Sequence, residues 1–259
     1  MPAPEPKLLP PPAFEAELER ALAQGDAGRL GLLRWEAQGF PWEAAGARLV
    51  ADSLRQLPEE DQELRRAIIF TGHMVDAPGR AKPRFPPAKE PIAAAAIHQS
   101  LAAIAGEHPG ACLGIGGGAS GGDLLFHEAC AKLGIPSRLR LTLAPGPFIA
   151  RSVAPAGGDW EARFHSTARR LQRSTRILDT SEELPSWLAG KPGYNVWART
   201  NVWMFEEALA SGAVEVHLLA LWNRAAGDGP GGTGHLVELA SQHGVVTHVL
   251  DTNLVFGLI

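Results

Sequence analysis

The chain has 259 residues, 45% of them hydrophobic and 20% charged, the balance of an ordinary soluble globular protein with one main core and room for an appendage. A formal net charge of −4 and the lack of a long basic run argue against nucleic acid as a partner. Two cysteines, Cys112 and Cys130, without metal-like spacing, and nine histidines without a metal pattern point to neither a disulfide framework nor a metal site, so a reduced cytoplasm is the expected home.

In chain order, residues 1–12 carry six prolines and predict an extended, poorly ordered leader, with no secretory pattern. Phe14, Leu18, Leu22, Leu30 and Leu33 then recur at helical spacing. Trp42, Ala45, Leu49, Leu54 and Leu57 repeat it after the Gly39-Phe40-Pro41 punctuation. The spacing predicts two or three short helices over 13–65, a structural cap on the main domain rather than a partner-docking module. From residue 67 the pattern changes. Ala67-Ile68-Ile69-Phe70 is a short apolar run entering a loop at Thr71-Gly72, as a buried parallel strand does. Further strands are expected at 111–115, 138–143, 176–178, 214–222 and 245–250, and helices at 90–106, 121–133, 159–173, 195–210 and 234–242. No apolar run reaches membrane-spanning length. Strands separated by helical lengths imply right-handed crossovers and a parallel sheet covered on both faces. The expected class is α/β, a Rossmann-like three-layer sandwich with a mainly parallel sheet over 66–259, plus the small helical appendage.

Two glycine-rich turns stand out, each at an expected strand-to-helix junction. The first, residues 116–122, holds five glycines in seven residues and runs into Asp123; the second, residues 229–234, is followed by Glu238. Backbone amides freed of side-chain bulk, with a helix start behind them, suit an anion such as a phosphate. The loops 71–84, 116–123, 144–160 and 223–234 all follow expected strands, so they are expected to meet at the carboxyl edge of the sheet, where such folds bind ligands. The candidate contacts are Gly72, His73, Arg80 and Arg84 from the first loop and Gly116, Gly117, Gly118, Ser120, Gly121 and Asp123 from the second. Arg151 and Ser152 come from the third, Asn201 from the helix after it, and Gly231, Gly232, Thr233, Gly234 and Glu238 from the last. Phe148 is a candidate to stack on a base, Trp160 an anchor to the core, and the other tryptophans are read as packing residues. The dinucleotide G-x-G-x-x-G fingerprint is not matched, and the lysine of a nucleoside triphosphatase loop is missing, which disfavours ATP hydrolysis.

The stretch Thr71-Gly72-His73-Met74-Val75-Asp76-Ala77-Pro78-Gly79-Arg80, the Gly-Gly-Asp at 121–123, Gly157-Gly158-Asp159-Trp160 and the run from Gly227 to Thr233 together resemble the Rossmann-like domains of the SLOG superfamily. The type found beside tetratricopeptide or nucleotide cyclase modules in bacterial signalling proteins is the most similar. The resemblance spans about 67–251 and implies binding of a nucleotide or nucleotide-derived signal. Pairing is common in that superfamily, which implies a dimer, and a signalling partner. Its Lonely-guy members carry Pro-Gly-Gly-x-Gly-Thr-x-x-Glu, to which Pro230 through Glu238 are similar, with His235 in place of the threonine. Their Gly-Gly-Gly-x-x-Gly-x-Met-Gly is met by residues 116–124, with Asp123 and Leu124 in place of methionine and glycine. Two readings follow. One is a sensor of a nucleotide or an NAD-derived ligand. The alternative is an N-glycosidase, phosphoribohydrolase or NAD-cleaving, in which Glu238 stabilises the ribosyl cation and Arg199 holds phosphate. A third, single-strand nucleic-acid binding by analogy to the superfamily's DNA-processing members, conflicts with the acidic balance.

Overall fold

The computed structural model describes residues 8–58, 63–225 and 231–258. Expectations for most of the leader, and for Gly229 and Pro230 in the second turn, lie outside them. The main body is one six-stranded sheet in the order β4-β3-β2-β1-β5-β6, every pairing parallel. Its strands are β1 (Arg66–Gly72), β2 (Cys112–Gly116), β3 (Ser137–Leu141), β4 (Arg176–Ile177), β5 (Glu215–Trp222) and β6 (Val246–Asp251). The chain steps outward from β1 to β4, then returns to lay β5 against the other side of β1.

Both faces of the sheet are covered, which gives the expected three-layer sandwich. Helices α4 (Glu90–Ala105), α5 (Gly122–Leu133) and α7 (Trp160–Arg170) connect β1 through β4, and α8 (Val196–Ala210) and α9 (Thr233–Gln242) make the last two crossovers. Successive residues of β1 serve opposite cores: Ile68 and Phe70 pack with α4 and α5, whereas Ala67 and Ile69 pack with α8 and α9. That is why the strand reads as an unbroken apolar run. Phe70 and Phe126 stack with ring centroids 4.9 Å apart, both fully buried, and each such side chain contributes about 1.5–3 kcal/mol. Arg163 on α7 lies 4.0 Å from the Trp160 ring centroid and pairs at 2.7 Å with Glu90 of α4 and with Glu128 of α5, tying the helices of that face together.

Residues before the sheet form α1 (Pro12–Ala23), α2 (Ala27–Glu36) and α3 (Glu43–Leu54), three helices as expected. They share a third core, in which Phe14, Leu18, Leu30, Leu33 and Trp42 meet Trp187 and Leu188. A buried ionic knot joins them to the body. Arg199 of α8, with no exposed side-chain surface, pairs with Glu36 and Asp179 at 2.7 Å and with Glu17. Arg29 donates to Glu17 and to the Leu178 carbonyl, and Tyr194 Oη donates to Glu36 at 2.7 Å. Burial pushes the Glu36 and Asp179 carboxyls above their ordinary range, against the pull of Arg199.

The structure departs from expectation in two elements. The stretch 144–160, expected as loop, contains α6 (Pro145–Ser152). Its opening Pro145-Gly146-Pro147 looks like a helix breaker, but the first turn of a helix has no use for those N–H groups, and the fixed proline φ suits it. A short terminal helix, α10 (Thr252–Phe256), capped by Asp251 accepting from Asn253 N, also went unforeseen.

Candidate functional site

In an open parallel sheet the crevice for a ligand lies where successive connections diverge, and here that point falls between β1 and β5. A cleft of about 310 Å³ opens there at the carboxyl edge. It gathers Thr71, Gly72 and His73 from the end of β1, Gly117, Ala119 and Asp123 from the first glycine turn, and Thr142 beyond β3. Phe148 and Ser152 reach it from α6, and Gly231, Gly232 and Thr233 from the second turn. The convergence of the two turns, about a hundred residues apart in sequence, is therefore a feature of the fold.

Hydrogen bonds explain how the loops are held. His73 N donates to the Leu221 carbonyl at 3.0 Å, and Asn223 N donates to His73 Nε2 at 3.2 Å, so the imidazole joins the ends of β1 and β5. Nε2 also lies 3.1 Å from Asn223 Oδ1, and burial, reinforced by Arg84, lowers the ring's pKa to about 4. His73 is thus a structural bridge with an edge on the cleft. Asp76 accepts from Arg84 N and Phe85 N, at 2.8 and 2.9 Å, which closes the first loop upon itself. Gly121, at φ +99°, seats the first turn against that loop; a Cβ there would stand 2.7 Å from Val75 N.

The second turn hangs from α8. Asn201 Nδ2 donates to the carbonyls of Gly231 and Gly232, at 3.0 and 3.2 Å. Gly231, at φ +92°, presses onto α8 so closely that a Cβ would lie 2.5 Å from Trp197 Cβ. Thr233 Oγ1 is 3.5 Å from Thr71 Oγ1 across the edge of the sheet, and Thr200 donates to Thr142 at 2.9 Å. The floor is a row of hydroxyls. Half-buried Trp197 and Trp222 add aromatic surface.

Ten of the expected contacts line the cleft: Gly72, His73, Arg84, Gly117, Asp123, Ser152, Asn201, Gly231, Gly232 and Thr233. The other eight do not. Arg80 turns back onto Asp76 and the Lys82 carbonyl, and Arg151 points outward toward Glu182. Gly116 and Gly118 face Phe126 and the Leu141–Phe164 core, so these glycines serve packing rather than a ligand. Ser120 is buried on the Ser152 carbonyl, Gly121 belongs to the loop seam, and Gly234 rests on the Trp222 ring. Glu238 sits on the exposed face of α9, where it accepts from Gln242. Arg199, named with it for hydrolysis, is consumed by the ionic knot beneath α1 and α2 and does not reach the cleft.

Several lining residues escaped the sequence reading, among them Arg140, Thr142, Trp197, Thr200, Met204 and Trp222. Four were within reach: once Asn201 is placed, Trp197, Thr200 and Met204 follow on the same helical face by three- and four-residue steps, and Thr142 directly follows a strand end. Arg140 had no such signal, since its guanidinium is bound up with Glu207 and only its place on β3 brings it to the cleft. Trp222 passed for a packing residue at the end of β5.

Fold and site together define a Rossmann-like α/β protein with a cleft at its topological switch point. In comparison with known proteins, no family model matches the chain, and neither a curated protein nor a solved structure does.

Proposed function

We propose that the chain binds a nucleotide or nucleotide-derived small molecule in this cleft and works as a ligand-sensing module. One observation carries the reading. Both glycine turns, the uncapped start of α9 and two half-buried tryptophans meet around a single concave space at the switch point. Hydroxyls and a helix start suit a phosphate and sugar, and the indole faces suit a base. A volume near 310 Å³ is at the small end of ligand sites and favours a mononucleotide over an intact dinucleotide. The order of motifs along the chain, similar to that of SLOG domains, supports the same reading. Binding is favoured over N-glycosidic cleavage because Glu238 and Arg199 lie outside the cleft.

The test is a melting-temperature screen over nucleoside monophosphates, cyclic nucleotides and NAD derivatives. A binder present at a hundred times its Kd stabilises the native state by about 2.7 kcal/mol, or about 5–10 °C for a domain of this size. Chromatography of the same mixtures should find no free base. Absence of any shift at millimolar ligand refutes the proposal.

A further inference from the structure

The first glycine turn has the look of a phosphate cradle, yet three of its amides are already spent. Ala119 N donates to Asp123 Oδ2 at 3.2 Å, Ser120 N to the Ser152 carbonyl at 2.9 Å and Gly122 N to the His73 carbonyl at 3.2 Å. The Asp123 carboxyl folds over the turn so tightly that a Cβ on Gly117 would come within 2.5 Å of Oδ2. An anion is thus built into the place a phosphate would take. Among the described residues Ala119 N–H is the one hydrogen-bond donor to this carboxyl, and Asp123 lines the cleft. Its second oxygen is left to accept from a ligand.

We propose that Asp123 reads the ribose hydroxyls of the bound nucleotide, and that the phosphate lies at the far side of the cleft against Gly232, Thr233 and the start of α9. The proposal rests on the nucleotide reading above and gives the ligand a direction. A carboxylate accepts from vicinal hydroxyls and repels a phosphate. The α9 end offers the opposite: a helix start without a side-chain cap, with the Thr233 and Thr71 hydroxyls beside it. Burial holds the Asp123 carboxyl at about pKa 7, so it is poised to lose its proton when hydroxyl donors arrive. The other charged or titratable groups around it are His73 and Arg84 from the first loop, Arg140 from β3, and His127 from its own helix, which contacts the Gly117 carbonyl.

Isothermal titration of the full chain at pH 7, in buffers of different ionisation enthalpy, tests this with the four common nucleoside 5′-monophosphates and their 2′,3′-dideoxy counterparts. The phosphate is common to each pair, so the difference isolates the hydroxyls. The ribose form should bind at least about tenfold tighter, and its binding should release more protons. Asp123→Asn, which keeps an acceptor for Ala119 N–H, should lose both differences. Equal affinity of ribose and dideoxy forms for the wild-type chain, or extra proton uptake with the ribose form, overturns the assignment of Asp123 while leaving nucleotide binding intact. Tighter binding of the monophosphates by Asp123→Asn overturns it too, by placing the phosphate at the turn. No binding of any of these nucleotides refutes the nucleotide reading itself, and the assignment with it. Both wild-type measurements stand even if the variant fails to fold.

Discussion

Replacing Arg199 by methionine separates a structural from a ligand-holding role for the one arginine that the hydrolase reading requires. The side chain would vanish from among Glu17, Glu36 and Asp179 while Arg29 and Tyr194 remain. Removing one partner from a buried pair leaves uncompensated charge and costs about 3–5 kcal/mol. For a domain of this size that is a fall of about 6–20 °C in melting temperature. The pH dependence has a definite sign. Glu36 and Asp179 already have folded pKa values raised by burial, and loss of Arg199 raises them further. A group with a raised folded pKa gives its stability below the unfolded pKa and loses it as pH rises through the folded value. Damage in Arg199→Met should therefore be greatest above neutrality and shrink as the pH falls toward the ordinary carboxyl range. Melting curves from pH 4.5 to 8, with and without the nucleotide that shifts the wild type, would measure it. A variant with native stability that has lost only its nucleotide response would refute the reasoning, because Arg199 would then be acting in the cleft.

Other outcomes follow from the same contacts. Gly231→Ala meets both a positive φ and the α8 backbone, 2.7 Å away at Ala198 N; it should cost about 2–4 kcal/mol in denaturant unfolding and abolish nucleotide stabilisation. A near-native variant would mean that the turn is not seated on α8. Asp123, raised to about 7, contributes stability below its unfolded pKa and loses it as the pH rises through 7. Asp123→Asn should accordingly be more stable than wild type by about 2 kcal/mol at pH 8, solvent in the cleft allowed for, with no gain near pH 4; equal stability at pH 8 would contradict this. His73 and His127, lowered to about 4, contribute stability above their unfolded pKa that is lost as the pH falls from about 6.5 to 4. His73→Asn should reduce that acid slope by up to about 1.4 kcal/mol per pH unit, and an unchanged slope would show that the ring is not held neutral. Glu238→Gln should leave the nucleotide response unchanged, since the side chain points to solvent.

The α/β class and nearly every strand and helix of the body were legible because they rest on local rules. Apolar runs of strand length, helical spacing between them and glycine at the turns are properties of neighbouring residues, and parallel strands joined by helices leave few topologies. The edge at which loops 71–84, 116–123 and 223–234 meet followed as well, since it depends only on each loop trailing a strand. What sequence could not assign is the direction in which a side chain is spent. Arg199 looks like a ligand for phosphate until Glu17 and Glu36, far off in the chain, come to meet it. Five glycines in seven residues look like an open cradle until the Asp123 carboxyl, the Ser152 carbonyl and the His73 carbonyl take up three of its amides. A charge or an N–H has one strongest partner at a time, and only the packed chain determines which group arrives first.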